Sequence, residues 1–479
     1  MSKIIHSSLV VLIGLLFCIT TVQVSAQKYW TLDECVNTAI KNNITVKQRE
    51  LSTRAAQNDV LQSKLSMLPS INGQITNNWN VGFAINPLTN AADPNATFRN
   101  NAMGASANMI LFNGFQQTNT IRQQQSNARA ARFDEQSTQN TIALQVSNAF
   151  LQTLMNNELF ESRKLQVEAT RSQLARQQKM YELGGVNKSR LLQLKAQLAN
   201  EEMQYITAEN ALQQSYLTLW QTMNVVPDTL NKVRKPEFDA GKIEQETQSS
   251  QQIYETFLQN SPEVKAAKER LRASHYGEYI AKGARSPRIS FNAGINSFYT
   301  TQNRRGVGTP ATLLVPFGLD INNQPVFRPV LQYSELETVP FSTQFEQNLG
   351  RNYGFNMSIP IFNGWQVNNA VMRIKVSSMS AELNEQQIKQ DAYRNVNQAY
   401  LDFKSAWKRY EANVQNMDAS KESYLQAETQ YNLGALSVNE YLTTKNTWLQ
   451  AETNYLQAKY ELLFRRKVLD FYLGKELTQ

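Results

Sequence analysis

Four stretches of this chain alternate apolar and polar side chains with a period of two. In SINGQITNNWNVGF (70–83), Ile71, Ile75, Trp79, Val81 and Phe83 share one face, and Ser70, Asn72, Gln74, Thr76 and Asn78 share the other. Over 102–112, Met103, Ala105, Ala107, Met109 and Leu111 line one side. Over 288–300, Ile289, Phe291, Ala293, Ile295 and Tyr299 stand against Arg288, Ser290, Asn292 and Asn296. Over 352–362, Tyr353, Phe355, Met357, Ile359 and Ile361 stand against Asn352, Asn356 and Ser358. Each stretch predicts a strand of about the 9–11 residues that a tilted membrane-spanning strand needs, apolar toward lipid and polar toward a lumen. A soluble β-sandwich with one buried face would show the same alternation. Four strands cannot close a barrel, and open sheet edges are not tolerated in lipid, so strands that meet lipid require an oligomer. Two copies give eight strands with a filled interior, and three give twelve with room for a passage; periodicity does not choose between them.

Between the strands the apolar period changes to three and four, as in Ile142, Val146, Phe150 and Leu154. No proline falls in 95–226 or after 360, and the only glycines are Gly184 and Gly185 within 115–226 and Gly434 within 365–473. Glycine and proline are the strongest breakers, so each block predicts two helices around one interruption: 115–183 with 187–224, and 366–433 with 437–473. A helix over 115–183 would be roughly 100 Å long, far beyond a globular helix, and points to a coiled-coil-like assembly. Its partner is shorter, so a second short helix must complete the match. Residues 31–67 supply one in the first half, opened by the capping box Thr31-Leu32-Asp33-Glu34, and 251–284 supply one in the second.

The two halves read as copies. Asn42-Asn43 aligns with Asn260-Ser261, and Pro69 with Pro287, at one offset; the FNG of LFNGF (111–115) and IFNGW (361–365), and YELGG (181–185) and YNLGA (431–435), align at a longer one. The chain is thus divided into a first repeat (27–225), a polar connecting segment (226–250), a second repeat (251–473) and a short tail (474–479). The extra residues fall between the third and fourth strands, where 300–351 would form a long loop. Phe112, Asn113 and Gly114, with Phe362, Asn363 and Gly364, stand where strand passes into helix; Asn and Gly tolerate positive φ and can turn the backbone there.

The N-terminus reads as a secretory signal: Lys3, an apolar run from Leu9 to Val22, then Val24-Ser25-Ala26, predicting cleavage before Gln27. Export would leave Cys35 as the only cysteine and permit no intrachain disulfide. No other apolar run approaches twenty residues. The net charge of +8 comes from Lys and Arg scattered among acids, without the basic block that nucleic-acid binding requires. The two histidines, His6 and His275, complete no catalytic set, and no metal-ligand cluster or phosphate-binding loop is visible. The composition therefore predicts no enzyme, no metal and no cofactor. A structural or adhesive coiled-coil protein with a soluble β head is the alternative class.

The chain resembles the TolC-like outer-membrane efflux proteins over essentially its whole mature length. The residues that carry the resemblance are WTLDECVNTAIKNN followed by Pro69, LQNSPEVKAAKERL, the paired LFNGF and IFNGW, and YNLGALSVNEYLTTKNTWLQAETNY. The resemblance implies an α+β membrane protein that forms a homotrimer. Four strands per chain would contribute to a twelve-stranded outer-membrane barrel continuous with a long periplasmic α-helical barrel. It implies as partners a periplasmic adaptor protein, an inner-membrane pump and outer-membrane lipid. Leu183, Gly184, Gly185 and Val186, with Leu433, Gly434, Ala435, Leu436 and Ser437, would be the periplasmic tips that touch the adaptor. Glu440 would be an aperture acid, while Thr443 departs from the second acid often found there. Residues 226–250 would be the equatorial segment. Ile71, Ile75, Trp79, Phe291, Tyr353 and Phe355 would face lipid.

Overall fold

The structure is a computed structural model that describes residues 29–85, 92–226, 232–235, 243 and 246–475. The expected signal segment, most of the connecting segment and the last four residues of the tail lie outside the described residues. The chain divides into two compact units, and the division runs across the two sequence halves. One unit takes 55–128 and 269–382; the other takes the rest.

The larger unit is helical, and four of the helices run on into the residue ranges of the other. Helix α1 (Leu32–Asn42) opens on the capping box of Thr31 and Glu34, and α2 (Ile44–Leu65) follows it directly. Helices α3 (Gln116–Glu182) and α4 (Lys188–Met223) come next, then α5 (Ser250–Asn260) and α6 (Pro262–Gly283). The continuous helices expected over 31–67 and 251–284 are therefore each two helices, broken at Asn43 and Ser261. Both residues are extended, with ψ of 127° and 123°. Asn43 Oδ1 accepts the Thr45 and Val46 N–H groups, so it caps the helix it starts. Ser261 precedes Pro262, whose ring disfavours helical backbone in the residue before it.

The core of this unit gathers Cys35, Val36 and Ala39, Val146, Phe150 and Leu154, Leu219, Trp220 and Met223, and Ile253 and Phe257. Helices α8 (Gln366–Asn432) and α9 (Val438–Tyr472) add Val396, Phe403, Leu462, Leu463 and Leu469. Trp30 lies edge-on to Trp220 with centroids 5.7 Å apart. Strand β1 (Tyr29–Trp30) pairs in parallel with β4 (Lys232–Val233), which stitches the connecting segment to the start of the fold.

The other unit is built on an antiparallel four-stranded sheet. Its strands are β2 (Ser70–Ile85), β3 (Ala92–Phe112), β5 (Arg288–Thr300) and β10 (Gly350–Ser358), in the order β10-β5-β3-β2. The second strand begins at Ala92 instead of 102. Its polar stretch NATFRNN shows no alternation and is held by pairing to β2, Val81 opposite Thr97 and Trp79 opposite Arg99. The fourth strand stops at Ser358 instead of 362, because Pro360 has no N–H for the ladder. The expected loop 300–351 carries two antiparallel pairs, β6 (Arg304–Val307) with β9 (Glu335–Thr338) and, between them in the chain, the hairpin β7 (Ala311–Leu319) with β8 (Pro325–Gln332). Helix α7 (Phe341–Gln347) closes it.

Candidate channel wall and docking tips

The sheet register brings the alternating side chains of all four strands into common rows. Ile71 lies opposite Ala107, Ala107 opposite Ala293, and Ala293 opposite Tyr353. Met109, Phe291 and Phe355 make the next row, with the Phe291 and Phe355 rings 5.3 Å apart. Since side chains alternate along each strand, Ile71, Ile75, Trp79, Phe291, Tyr353 and Phe355 all share one face. That face is open: Ile71 and Ile75 are each 76% exposed and Tyr353 83%. The opposite face carries Asn72, Ser106, Gly294 and Asn352 in one row and Gln74, Gly104 and Asn296 in another. β2 and β10 are the outer strands of this sheet.

Where β3 leaves the sheet, a bulge between Ile110 and Phe112 precedes the turn. The residues with positive φ are Gly114 (67°) and Phe115 (60°) in the first FNG turn, and Gly364 (59°) and Trp365 (67°) in the second. The expectation that Asn shares the left-handed backbone is corrected: the aromatic after the glycine does. Asn113 instead accepts the Gln116 N–H on its backbone oxygen and the Gln117 N–H on Oδ1. Non-glycine residues rarely occupy this region, so each turn holds a strained aromatic. The first is supported by the Phe112 ring, edge-on to Phe115 with centroids 5.4 Å apart.

In the helical unit both tips end their long helices in the same way. Gly185 N–H donates to Met180 O and Gly184 N–H to Tyr181 O; Ala435 N–H donates to Gln430 O and Gly434 N–H to Tyr431 O. These are paired Schellman caps with glycine at φ 77° in each. Leu183 and Leu433 stand out at 87% and 80% exposed. Val186 and Ala435 to Leu436 complete the turns, and Asn187 and Ser437 cap the returning helices. Ser437 and Glu440 form a capping box, with the Ser437 hydroxyl donating to Glu440 Oε2 at 2.7 Å. That hydroxyl, helped by the Ser437 N–H, holds the Glu440 carboxyl below its ordinary pKa. The contribution of this carboxylate is present above its unfolded pKa and is lost as pH falls through the lowered folded value. Replacing the cap, Ser437→Ala, should cost about 1 kcal/mol of helix stability, read as faster amide exchange in the first turn of α9.

The tips are joined by side chains that periodicity does not reveal. Arg190 Nε donates to the Tyr431 hydroxyl at 2.7 Å, and its guanidinium lies 4.1 Å from that ring's centroid. Tyr431 stacks on Tyr441 at 4.5 Å, and Gln193 donates to Asn439. Behind them Lys445 and Glu201, each 2% exposed, form an ion pair at 2.8 Å. Lys445 also donates to Thr170, whose hydroxyl donates to Glu201, and Gln197 donates to the same carboxylate. Burial lowers the Lys445 pKa against the pull of Glu201. The sequence holds a signal for this centre: Lys445 sits between Tyr441 and Leu449, and Glu201 between Leu194 and Ala208, each a charge on a buried helical stripe.

A model of the family described as "Outer membrane efflux protein" matches residues 35–225 and 253–475, which include both hinges and both tips. The chain belongs to the outer membrane efflux protein family. Its place is the outer membrane, and the family is one of efflux proteins rather than enzymes. It is 22% identical over 292 residues to the outer membrane efflux protein BepC of Brucella suis biovar 1 (strain 1330). That match spans 61% of this chain and 60% of BepC. Three solved structures share the α+β fold. CusC superposes with a TM-score of 0.72 at 16% identity, covering 93% of this chain and 92% of CusC. The outer membrane channel CmeC of Campylobacter jejuni gives 0.72 at 18%, covering 92% and 85%. The open state of the outer membrane channel MtrE of Neisseria gonorrhoeae gives 0.69 at 14%, covering 94% and 90%. Among the described residues no helix is long and apolar enough to cross a membrane, and no three metal-ligating side chains gather.

Proposed function

We propose that three copies of this chain close into a twelve-stranded outer-membrane barrel continuous with a periplasmic tube of helices. The assembly is the passive exit duct of a tripartite efflux or type I secretion system, and no residue has a catalytic role. The observation that carries this reading is the four-stranded sheet, apolar on one face and polar on the other, with β2 and β10 at its ends. In lipid such edges are costly, so β2 of one copy pairs with β10 of the next. Contacts between two different edges close into a ring. Two copies would fill the interior with side chains, whereas three leave the passage that efflux needs.

The duplicated helix–hairpin–helix unit is supported by three equivalent pairs: the breaks at Asn43 and Ser261, the left-handed turns at Gly114 and Gly364, and the Schellman caps at Gly184 and Gly434. A pump in the inner membrane delivers substrate through a periplasmic adaptor, which meets Leu183–Val186 and Leu433–Ser437. Glu440 caps its helix and, in the trimer, brings three carboxylates to the inner end of the duct.

The purified full chain should run as an SDS-resistant trimer before heating and conduct ions in a planar bilayer. A soluble monomer that conducts nothing would overturn the duct. Gly434→Asp should leave trimers intact, since aspartate tolerates left-handed backbone and a Cβ there meets nothing within 4 Å. It should abolish adaptor pull-down and efflux; normal efflux by this variant would remove the tip from the docking surface.

A further inference from the structure

The hairpin β7–β8 is apolar on both faces and covered on neither. Leu313 opposes Val330, and Val315 opposes Arg328, whose guanidinium lies 5.0 Å from the Phe317 ring; these make one face. Leu314 opposes Pro329, and Pro316 opposes Phe327, with Leu331 beside them; these make the other. Phe317 is 69% exposed, Leu314 63% and Leu331 60%. Across 311–332 the only charged residues are Asp320 and Arg328.

The hairpin is nonetheless well held. Asp320 Oδ1 accepts the Asn322 and Gln324 N–H groups and shapes its turn. Its stem is β6–β9, where Arg305 pairs with Glu337 at 3.5 Å and the Tyr333 ring crosses Gly306. Below the stem, the fully buried Gln344 side chain donates to Thr300 O and Val339 O and accepts the Thr300 N–H. Ser297 donates to Phe345 O and Asn348 to Phe298 O, fixing α7 to the end of β5 away from the helices.

Three occupants are conceivable for such a surface. Lipid is excluded because a two-stranded hairpin has two open edges whose backbone groups hydrocarbon cannot satisfy. Strand addition by another protein is disfavoured because Pro316, Pro325 and Pro329 remove donors from both strands. What remains is packing by faces. Contact of one face with a different face of an identical neighbour is the arrangement a closed ring demands, and it needs two apolar faces per chain. The sheet below, with its two different edges, demands the same ring.

We propose that the hairpins of three copies pack face to face into an apolar collar at the outer end of the barrel, the Leu313–Phe317 face of each against the Leu314–Leu331 face of the next. The collar rests on the trimeric ring proposed above. A chain carrying both Leu313→Cys and Leu331→Cys tests it, since the two cysteines point to opposite faces and cannot bridge within one hairpin. After oxidation and heating, the double variant should run as covalent dimers and trimers with loss of most monomer, and each single variant as monomer. Intact trimers before heating with only monomer after it would overturn the collar while leaving the duct standing. Cross-linking by either single variant would also overturn it, because a face would then be meeting itself. Absence of trimers before heating would remove the ring, and the collar with it.

Discussion

Lys445→Met should destabilise the helical unit by about 3–5 kcal/mol, the largest loss expected of any single substitution away from the hinges. The reason is what it leaves behind. Glu201 is 2% exposed, and without the ammonium 2.8 Å away its carboxylate is a buried charge whose hydrogen-bond donors, Thr170, Gln197 and Gln166, are all neutral. Adding Glu201→Gln should recover most of the loss, because no charge remains, the amide oxygen can keep the Gln197 donation and the amide NH2 can donate to the Thr170 hydroxyl. The measurement is thermal unfolding of the purified protein for the wild type, both single variants and the pair. A pair no more stable than Lys445→Met alone would show that packing, not charge, holds the centre.

The same set should differ in its pH dependence. A lysine with a depressed folded pKa binds its proton less tightly folded than unfolded. Its stability contribution therefore rises as pH climbs from the lowered value toward the ordinary lysine value of about 10.4, and is least below that interval. The stability–pH curve of Lys445→Met should lack that rise.

Gly114→Val and Gly364→Val should not be equivalent, although the motifs that contain them read alike. Both glycines have positive φ, which costs a side-chain-bearing residue about 1–2 kcal/mol. At Gly364 a Cβ meets nothing within 4 Å, so that cost stands alone. At Gly114 a Cβ would overlap the Gly283 carbonyl and lie 2.6 Å from the Ser286 Cβ. The crossing is tight from the other side as well, since a Cβ on Gly283 would strike the Gly114 carbonyl and the Gln116 side chain. Overpacking of this kind adds about 1–3 kcal/mol. Refolding yield of the SDS-resistant, unheated assembly should therefore fall modestly for Gly364→Val and steeply for Gly114→Val. Equal yields would mean that the backbone shifts without cost at the first hinge.

Much of the fold is legible in the chain because its signals are local. The period of two placed the apolar faces of four strands, and the scarcity of glycine and proline marked out helices of 67 residues at 116–182 and 366–432. The tips were legible as glycine caps, and their hydrogen bonds are those that glycine in left-handed backbone makes available. The breaks at Asn43 and Ser261 were less so: the alignment of the two halves paired these positions, yet the apolar period runs on through them. A single extended residue interrupts the backbone without disturbing the pattern.

Other features depended on which residues meet across long separations. The ion pair of Lys445 with Glu201 joins helices 244 positions apart, and its exclusion from water comes from packing that no local window records. The difference between the two hinges lies in Gly283 and Ser286, which approach Gly114 and have no counterpart near Gly364. The hairpin within 300–351 looked like a loop because prolines and a turn interrupt its alternation, and only cross-strand pairing shows two apolar faces. Sequence by itself determined the periodic elements and their caps, since backbone preference and amphipathic spacing act over a few residues. Tertiary structure alone decided which charges are buried and which of two identical turns is crowded, because burial and contact are properties of neighbours distant in the chain.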